Sequence, residues 1–432
     1  MTTVHSPFSP IDEVLHLTDS DQYPVNVHIE VKAPGELDAE AMRDAVHKAL
    51  AVHPLARARL VRPSQRDKQL QWEIMEAPRV DPFLVVEAGD DASVNRARNQ
   101  LLSTRVPLHE APPLRVWLVR CNKGDHLILN VSHAAADGIG TLRFLRSILR
   151  AYCGEEDDTG SVDPLQSRDL EALYGPKSRT EKTRRFKSYA ASMKTQMPEA
   201  TSISELTDSE AIAYGCYHYT LDVDDVSELN PKRYMKATFN DLLVAAMHRT
   251  VEVWNERLGD ESSLVRVTSP VNLRPQEWWF EVFGNFAISF ATNTELEQRE
   301  DPEALMATVV EQSRTAKEEG FAESMLLGLS MGSRLPVWAK NLIFMSPGES
   351  GATSAALTNA GRITEALSFG QDGEAQEVWM SPPAVMPDGL GLGVTSYNGC
   401  IHLSFRHSYE LLDDEAVADF AALFHESLLW LS

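Results

Sequence analysis

The sequence predicts an α/β protein whose strands and helices alternate through two successive halves. Three observations predict it. At 432 residues the chain is too long for one compact core, and about 150 residues per domain gives two to three. Apolar residues recur at period 2 in short runs and at helical spacing between them. Hydrophobic residues make up 43% and charged residues 24%, an ordinary globular composition with a sizeable core.

Residues 25–31 alternate apolar with polar, the pattern of a half-buried strand. A helix opens at Leu37 and Asp38 and runs to about Ala51, with Ala41, Met42, Ala45, Val46 and Leu50 at helical spacing. Pro54 ends it, because proline disfavours helix at the preceding His53. Residues 114–119 and 126–131 predict two strands around a turn at 122–125. After Gly138, Leu142, Leu145, Ile148 and Leu149 form one stripe of a helix ending near Cys153, whose other face carries Arg143, Arg146 and Arg150. The acidic stretch 154–160 reads as an exposed linker. From Lys177 to Lys194 the charge reverses, and the ordinary role of such a run is a solvated helix face or crossover.

The second half repeats the alternation. Strands are expected at 217–223, 264–271 and 286–291, and helices at 240–258 and between 302 and 344. The last strands, 393–397 and 400–408, are joined by Asn398 and Gly399, both tolerant of positive φ. Asp413 or Asp414 caps a terminal helix to about Leu431. The expected division is 1–160, a crossover at 161–211, and 212–432.

A net charge of -23 argues against a nucleic-acid protein, which needs a basic face. The four cysteines, Cys121, Cys153, Cys216 and Cys400, lack metal-ligand spacing and predict free thiols rather than a disulfide framework. No signal peptide and no apolar run of about 20 residues is visible, so a soluble, cytoplasmic protein without a membrane span is expected. The HExxH, P-loop and EF-hand patterns are missing. Trp278, Trp279, Phe280, Trp379 and Met380 are candidates for lining an apolar site, with core packing the commoner role for each.

The segment Ser132, His133, Ala134, Ala135, Ala136, Asp137, Gly138 places one histidine at a predicted strand end, just before a tight turn into a helix. Strand ends are where open sheets present ligands. An imidazole with an ordinary pKa near 6.5 is largely neutral at pH 7 and can accept a proton. Asp137 either orients the ring or pairs with a distant cation. By itself an HxxxDG string arises by chance at roughly a few per cent in a chain this long.

The wider sequence resembles the condensation-domain and chloramphenicol-acetyltransferase-like superfamily of thioester-dependent acyltransferases. Residues 37–59, ending His53, Pro54, Leu55, Ala56, Arg57, Ala58, Arg59, look like that family's first helix and its exit. Residues 130–138 resemble its HHxxxDG loop, 238–246 its T-x-N-D helix start, 270–275 with 283–286 its "vnlRp…GNf" segment, and 358–361 its "sNxG" strand. Five matches in order carry the resemblance.

That resemblance implies two chloramphenicol-acetyltransferase-like α/β-sandwich subdomains in a V-shaped pseudo-dimer, with a tunnel between them. It makes His133 the general base, and Asp137 with Gly138 and Arg274 a structural brace of the loop. Ser354, Thr358 and Asn359 are candidates for the oxyanion or tunnel. It further implies an acyl-CoA or acyl-phosphopantetheine co-substrate, free or on an acyl carrier protein, a small-molecule hydroxyl or amine acceptor, and a place in secondary metabolism. No metal, no tightly bound cofactor and a monomer are expected. The basic run at 177–194 is a candidate contact for CoA phosphates or an acidic carrier. Two departures stand out: Ser132 occupies the first motif-histidine position, and the DFGWG element of the plant branch is missing. Ser132 keeps open a non-catalytic condensation-fold protein that binds a carrier or metabolite.

Overall fold

The computed structural model describes residues 4–344 and 353–432, apart from Thr159, Ser161, Glu210 and Met235. Its first half contains β1 (Val4–Pro7), α1 (Pro10–Thr18), β2 (Asn26–Lys32), α2 (Ala39–Val52), β3 (Ala58–Leu60), β4 (Gln71–Ile74), β5 (Phe83–Gly89), α3 (Asp91–Leu102), β6 (Leu114–Cys121), β7 (His126–Ser132) and α4 (Gly138–Tyr152). The crossing segment holds α5 (Leu170–Tyr174) and α6 (Arg179–Gln196). Then come β8 (Tyr214–Leu221), α7 (Val223–Glu228), α8 (Phe239–Leu258), β9 (Leu264–Asn272), β10 (Ala287–Glu295), α9 (Leu296–Arg299), α10 (Pro302–Glu318), α11 (Phe321–Gly332) and α12 (Val337–Phe344). The chain closes with β11 (Ala355–Arg362), β12 (Glu377–Ser381), β13 (Leu390–Tyr397), β14 (Cys400–Ser408) and α13 (Asp414–Leu431).

The two halves repeat one topology. One sheet runs β12-β2-β7-β6-β5 and the other β10-β9-β11-β13-β14-β8. Within them β2-β7-β6-β5 and β8-β14-β13-β11 follow the same rule: two antiparallel pairings, then a parallel one. Each sheet carries a helix pair on one face, α2 with α4 and α8 with α13. The expected pair of α/β-sandwich subdomains is therefore present.

Local sequence explains these helices. Asp38 caps α2 by accepting the N–H groups of Glu40 and Ala41, and Met42, Ala45, Val46, Ala49 and Leu50 bury its inner face. Thr238 and Asp241 form a reciprocal capping box at α8, and Gly259 ends that helix with φ 89°. Asp413 caps α13.

The halves are tied by strand exchange. β12, from the second half, pairs antiparallel with β2 of the first. It lies so close over β13 that a Cβ on Gly393 would overlap the carbonyl of Met380. Val378, Met380 and Phe369 thereby enter the core of the first half.

Two expectations are corrected. β2 is buried on both faces, not half-buried, because Asn26, His28 and Glu30 turn toward the second half and α3. Arg98 of α3 clasps Glu30 at 2.6 and 2.7 Å, and His126 bonds the same carboxylate at 2.6 Å. The acidic stretch at 154–160 is not a free linker either. The Asp157 side chain folds back, 2.8 Å from both terminal nitrogens of Arg143 and 2.9 Å from Arg150. Arg143 is consequently buried, not on a solvated helix face. The basic run does form a helix, α6, with no buried residue.

Candidate functional site at the end of β7

His133 follows β7 directly and is fixed from both halves. Its backbone N–H donates to the carbonyl of Val25 at 2.9 Å, ahead of β2. Its carbonyl accepts the side-chain amide of Asn285 from the second half. Ala135 closes a turn onto Ser132 at 2.9 Å, and Ala134, Ala135 and Ala136 are fully buried in the first core. Larger side chains have no room there. The small residues of the motif thus serve packing, while His133 alone among residues 131–137 keeps partial exposure.

Asp137 is the N-cap of α4, accepting the N–H of Gly140 at 2.8 Å. Its carboxylate is also clamped by the second half. Arg274 donates to both oxygens, at 2.6 and 2.8 Å, and the N–H of Phe286 adds a contact at 2.9 Å. Arg274 also bonds the carbonyl of Gly284 at 2.8 Å, and its guanidinium lies 4.5 Å from the centre of the Phe286 ring. Gly138 and Gly140 permit this approach. A Cβ on Gly138 would meet the Met380 sulfur at 2.6 Å, and one on Gly140 the backbone of Gly284 at 2.8 and 2.9 Å.

Electrostatics separate the two titratable groups. Burial pushes the His133 imidazole below its ordinary range, against the opposing pull of the Asp137 charge. Burial alone would raise Asp137, but the charge and hydrogen bonds of Arg274 outweigh it and hold the carboxyl low. At neutral pH the loop therefore combines a neutral imidazole with an ionised, fully engaged carboxylate. Such an imidazole can accept a proton, whereas the Asp137 carboxylate is engaged by Arg274, Gly140 and Phe286.

Asp137, Gly138 and Arg274 are thus brought together with His133. Ser354 is buried, its hydroxyl accepting the N–H of Arg266 at 3.0 Å. Asn359 accepts the N–H of Gly361 at 2.8 Å within a break in the β11 register. Thr358 is half-buried on the face of β11 opposite the core residue Leu357. Among the described residues, none of these three hydrogen-bonds the His133 loop. Of the apolar-site candidates, Met380 lies under Gly138, Trp379 stacks on His218 at 4.4 Å, and Phe280 lies 4.6 Å beneath Arg146. Asn285 is the residue sequence reasoning left without a role. It is visible only as the asparagine of the Gly284–Phe286 string.

The condensation-domain family model matches residues 7–323. An uncharacterised protein found in two strains of Mycobacterium tuberculosis is 32% identical over 427 residues, 97% of this chain and 98% of its own length. Among solved structures, the first condensation domain of the calcium-dependent antibiotic synthetase superposes with a TM-score of 0.73 at 14% identity, covering 99% of this chain and 96% of its own. The starter condensation domain of rhizomide synthetase, in complex with C8-CoA and Leu-SNAC, gives 0.70 at 14% identity, with 99% and 94% covered. The epimerization domain from the third module of tyrocidine synthetase B gives 0.66 at 16% identity, with 99% and 97% covered. The chain belongs to the condensation-domain family.

Proposed function

We propose that this protein is an acyltransferase that moves an acyl group from a CoA or carrier-protein thioester to a hydroxyl or amine of a small molecule. His133 is the general base and the brace around Asp137 is structural. The observation that carries this reading is a neutral imidazole at a strand end, its backbone held by both halves. Family membership and a neighbour crystallised with C8-CoA support the choice of thioester donor.

In this mechanism His133 takes the acceptor proton as the acceptor oxygen or nitrogen attacks the thioester carbon. The tetrahedral oxyanion collapses, the carbon–sulfur bond breaks, and the thiolate recovers the proton from the imidazolium. No net proton is consumed. A positioned base contributes about 10²–10⁴-fold, and holding the two substrates together supplies much of the remainder. Ser354, Thr358 and Asn359 are the candidates for stabilising the oxyanion or lining the tunnel; the Ser354 hydroxyl and the Asn359 Oδ1 each accept a backbone N–H, which leaves a donor on each side chain for that role. The exposed cations of α6 are available to CoA phosphates or an acidic carrier.

Release of free thiol from acyl-CoA in the presence of acceptor amines and alcohols tests the reading. Turnover with an acylated carrier alone assigns the donor to a partner protein. Ser132, in place of a first motif histidine, favours one other reading, a condensation-fold protein that binds a carrier or metabolite without chemistry. Tight binding of acylated carrier with no thiol release from any donor would select it.

A further inference from the structure

Large apolar side chains are expected singly on a protein surface. Around α11 and α12 they are not single. Met331, Leu335, Trp338 and Leu342 are 44, 37, 53 and 67% exposed. They follow one another at intervals of four, three and four residues, with Leu335 in the short joint between the helices. None is needed to hold α12 in place. The backbone N–H groups of Val337 and Trp338 donate to the carbonyls of Asp67 and Gln65, and Lys340 reaches both Glu13 and the carbonyl of Lys68.

The ridge has basic borders. The loop that anchors α12 exposes Arg62, Arg66 and Lys68 around a single Asp67, and Arg334, ion-paired with Glu171, is exposed between the two helices. On the other side α11 packs against α6, which exposes Arg179, Lys187 and Lys194 around an exposed Phe186. The chain as a whole carries a net charge of -23. An anionic surface therefore repels the protein from most directions, and this side is where cations and protruding apolar groups coincide.

We propose that the ridge of α11 and α12, with its basic borders, is a membrane-docking surface that seats the protein on the headgroup region of an anionic phospholipid bilayer. The chemistry matches that environment. Tryptophan, leucine and methionine enter the boundary between headgroups and acyl chains, while arginine and lysine extend along apolar surface to reach phosphates. Leu335, Trp338 and Leu342 protrude, and Met331 borders a small cleft beside Tyr174 and Arg185. Protruding apolar groups of this kind suit a deformable lipid surface. No helix among the described residues is long and apolar enough to cross a membrane, so the attachment is peripheral and salt-sensitive.

Sedimentation of the full chain with vesicles tests this. The protein is expected to bind vesicles of equal parts phosphatidylglycerol and phosphatidylcholine at low salt. High salt should release it, and pure phosphatidylcholine should hold it weakly. Trp338→Ser combined with Leu342→Ser should weaken binding about tenfold or more. Arg62→Glu and Arg66→Glu should each weaken it about fivefold or more. Leu84→Ser, at a 48% exposed position on β5, should leave it unchanged. All these side chains are exposed, so melting temperatures should stay at the parent value. No binding to the mixed vesicles at low salt overturns the proposal, as does binding that the ridge and loop variants leave intact. Vesicles ignored while an acidic carrier protein binds through the same residues overturns it in favour of a protein dock.

Discussion

Arg274, just after β9, places its two terminal nitrogens 2.6 and 2.8 Å from the two carboxylate oxygens of Asp137, at the head of α4 in the other half. Both side chains are essentially sealed from solvent. A pair of this kind adds little net stability over a well-packed apolar alternative, but breaking it strands a buried charge. Arg274→Ala and Asp137→Ala should each cost about 3–5 kcal/mol. Asp137→Ala should be the worse, since the N–H groups of Gly140 and Phe286 lose their acceptor as well. The double variant should cost less than the sum of the two single ones. Equilibrium urea unfolding measures all three, and strict additivity would show that the groups do not act as a pair.

The second prediction concerns the base. His133→Ala should lower acyl-transfer turnover by about 10²–10⁴-fold while the melting temperature changes little, because the loop is held by backbone contacts. The neutral imidazole is the active form, and burial depresses its pKa below 6.5. The acid limb of the pH–rate profile should therefore centre below 6.5. A pH–rate profile whose acid limb centres above 6.5 would contradict this.

Gly140 gives the third prediction, because two effects there have opposite signs. In a helix, alanine is favoured over glycine by about 1 kcal/mol. At Gly140, however, the new Cβ meets the backbone N and O of Gly284 at 2.9 and 2.8 Å, and backbone cannot move aside as a side-chain tip can. Overpacking of this sort costs about 1–3 kcal/mol. Gly140→Ala should therefore be destabilising and should lower activity by pushing the Asp137 clamp apart. A stabilised variant would mean that the two halves separate there at no cost.

How much of this was legible in the sequence depends on the distance over which each feature is decided. α2 and the Tyr397–Cys400 turn are written locally, in a capped apolar stripe and an Asn-Gly pair, and both lie where the pattern puts them. The His133 loop is equally local, since small residues beside a histidine and an aspartate-glycine stop are all contiguous. The polar face of β2 was not legible. His28 and Glu30 read as solvent-facing until α3 supplies Arg98, which no pattern in residues 25–31 announces. The same holds for Asp157, whose acidity looks like a linker until Arg143 draws it in. β12 leaves its own half to join another sheet, a choice made by packing against Gly393 and not by the composition of five residues. Asn285 belonged to a recognisable string, yet its bond to the His133 carbonyl exists only once the two halves meet.

The fourth prediction is acid sensitivity with an identifiable source. His53 and His248 are wholly buried, and burial pushes each imidazole down to about 3. His248 is satisfied at both ring nitrogens as a neutral ring, and His53 at Nε2 only. His53 contacts Ser147 at 2.7 Å, and His248 lies between Thr292 at 2.8 Å and Thr294 at 2.9 Å. In the unfolded chain each titrates near 6.5. Below that pH the unfolded state binds the protons first, so stability falls as pH drops from about 6.5 toward 3. Each histidine contributes up to about 1.4 kcal/mol per pH unit across that window. Carboxylates held low by arginine, Asp137 among them, push in the same direction at more acid pH. His248→Gln can keep hydrogen bonds to the threonines but cannot titrate, which isolates the histidine contribution. Urea unfolding at pH 7.5 and pH 5 should show the parent losing about 2 kcal/mol more than the variant between those conditions. Equal losses would place the acid sensitivity in the carboxylates alone.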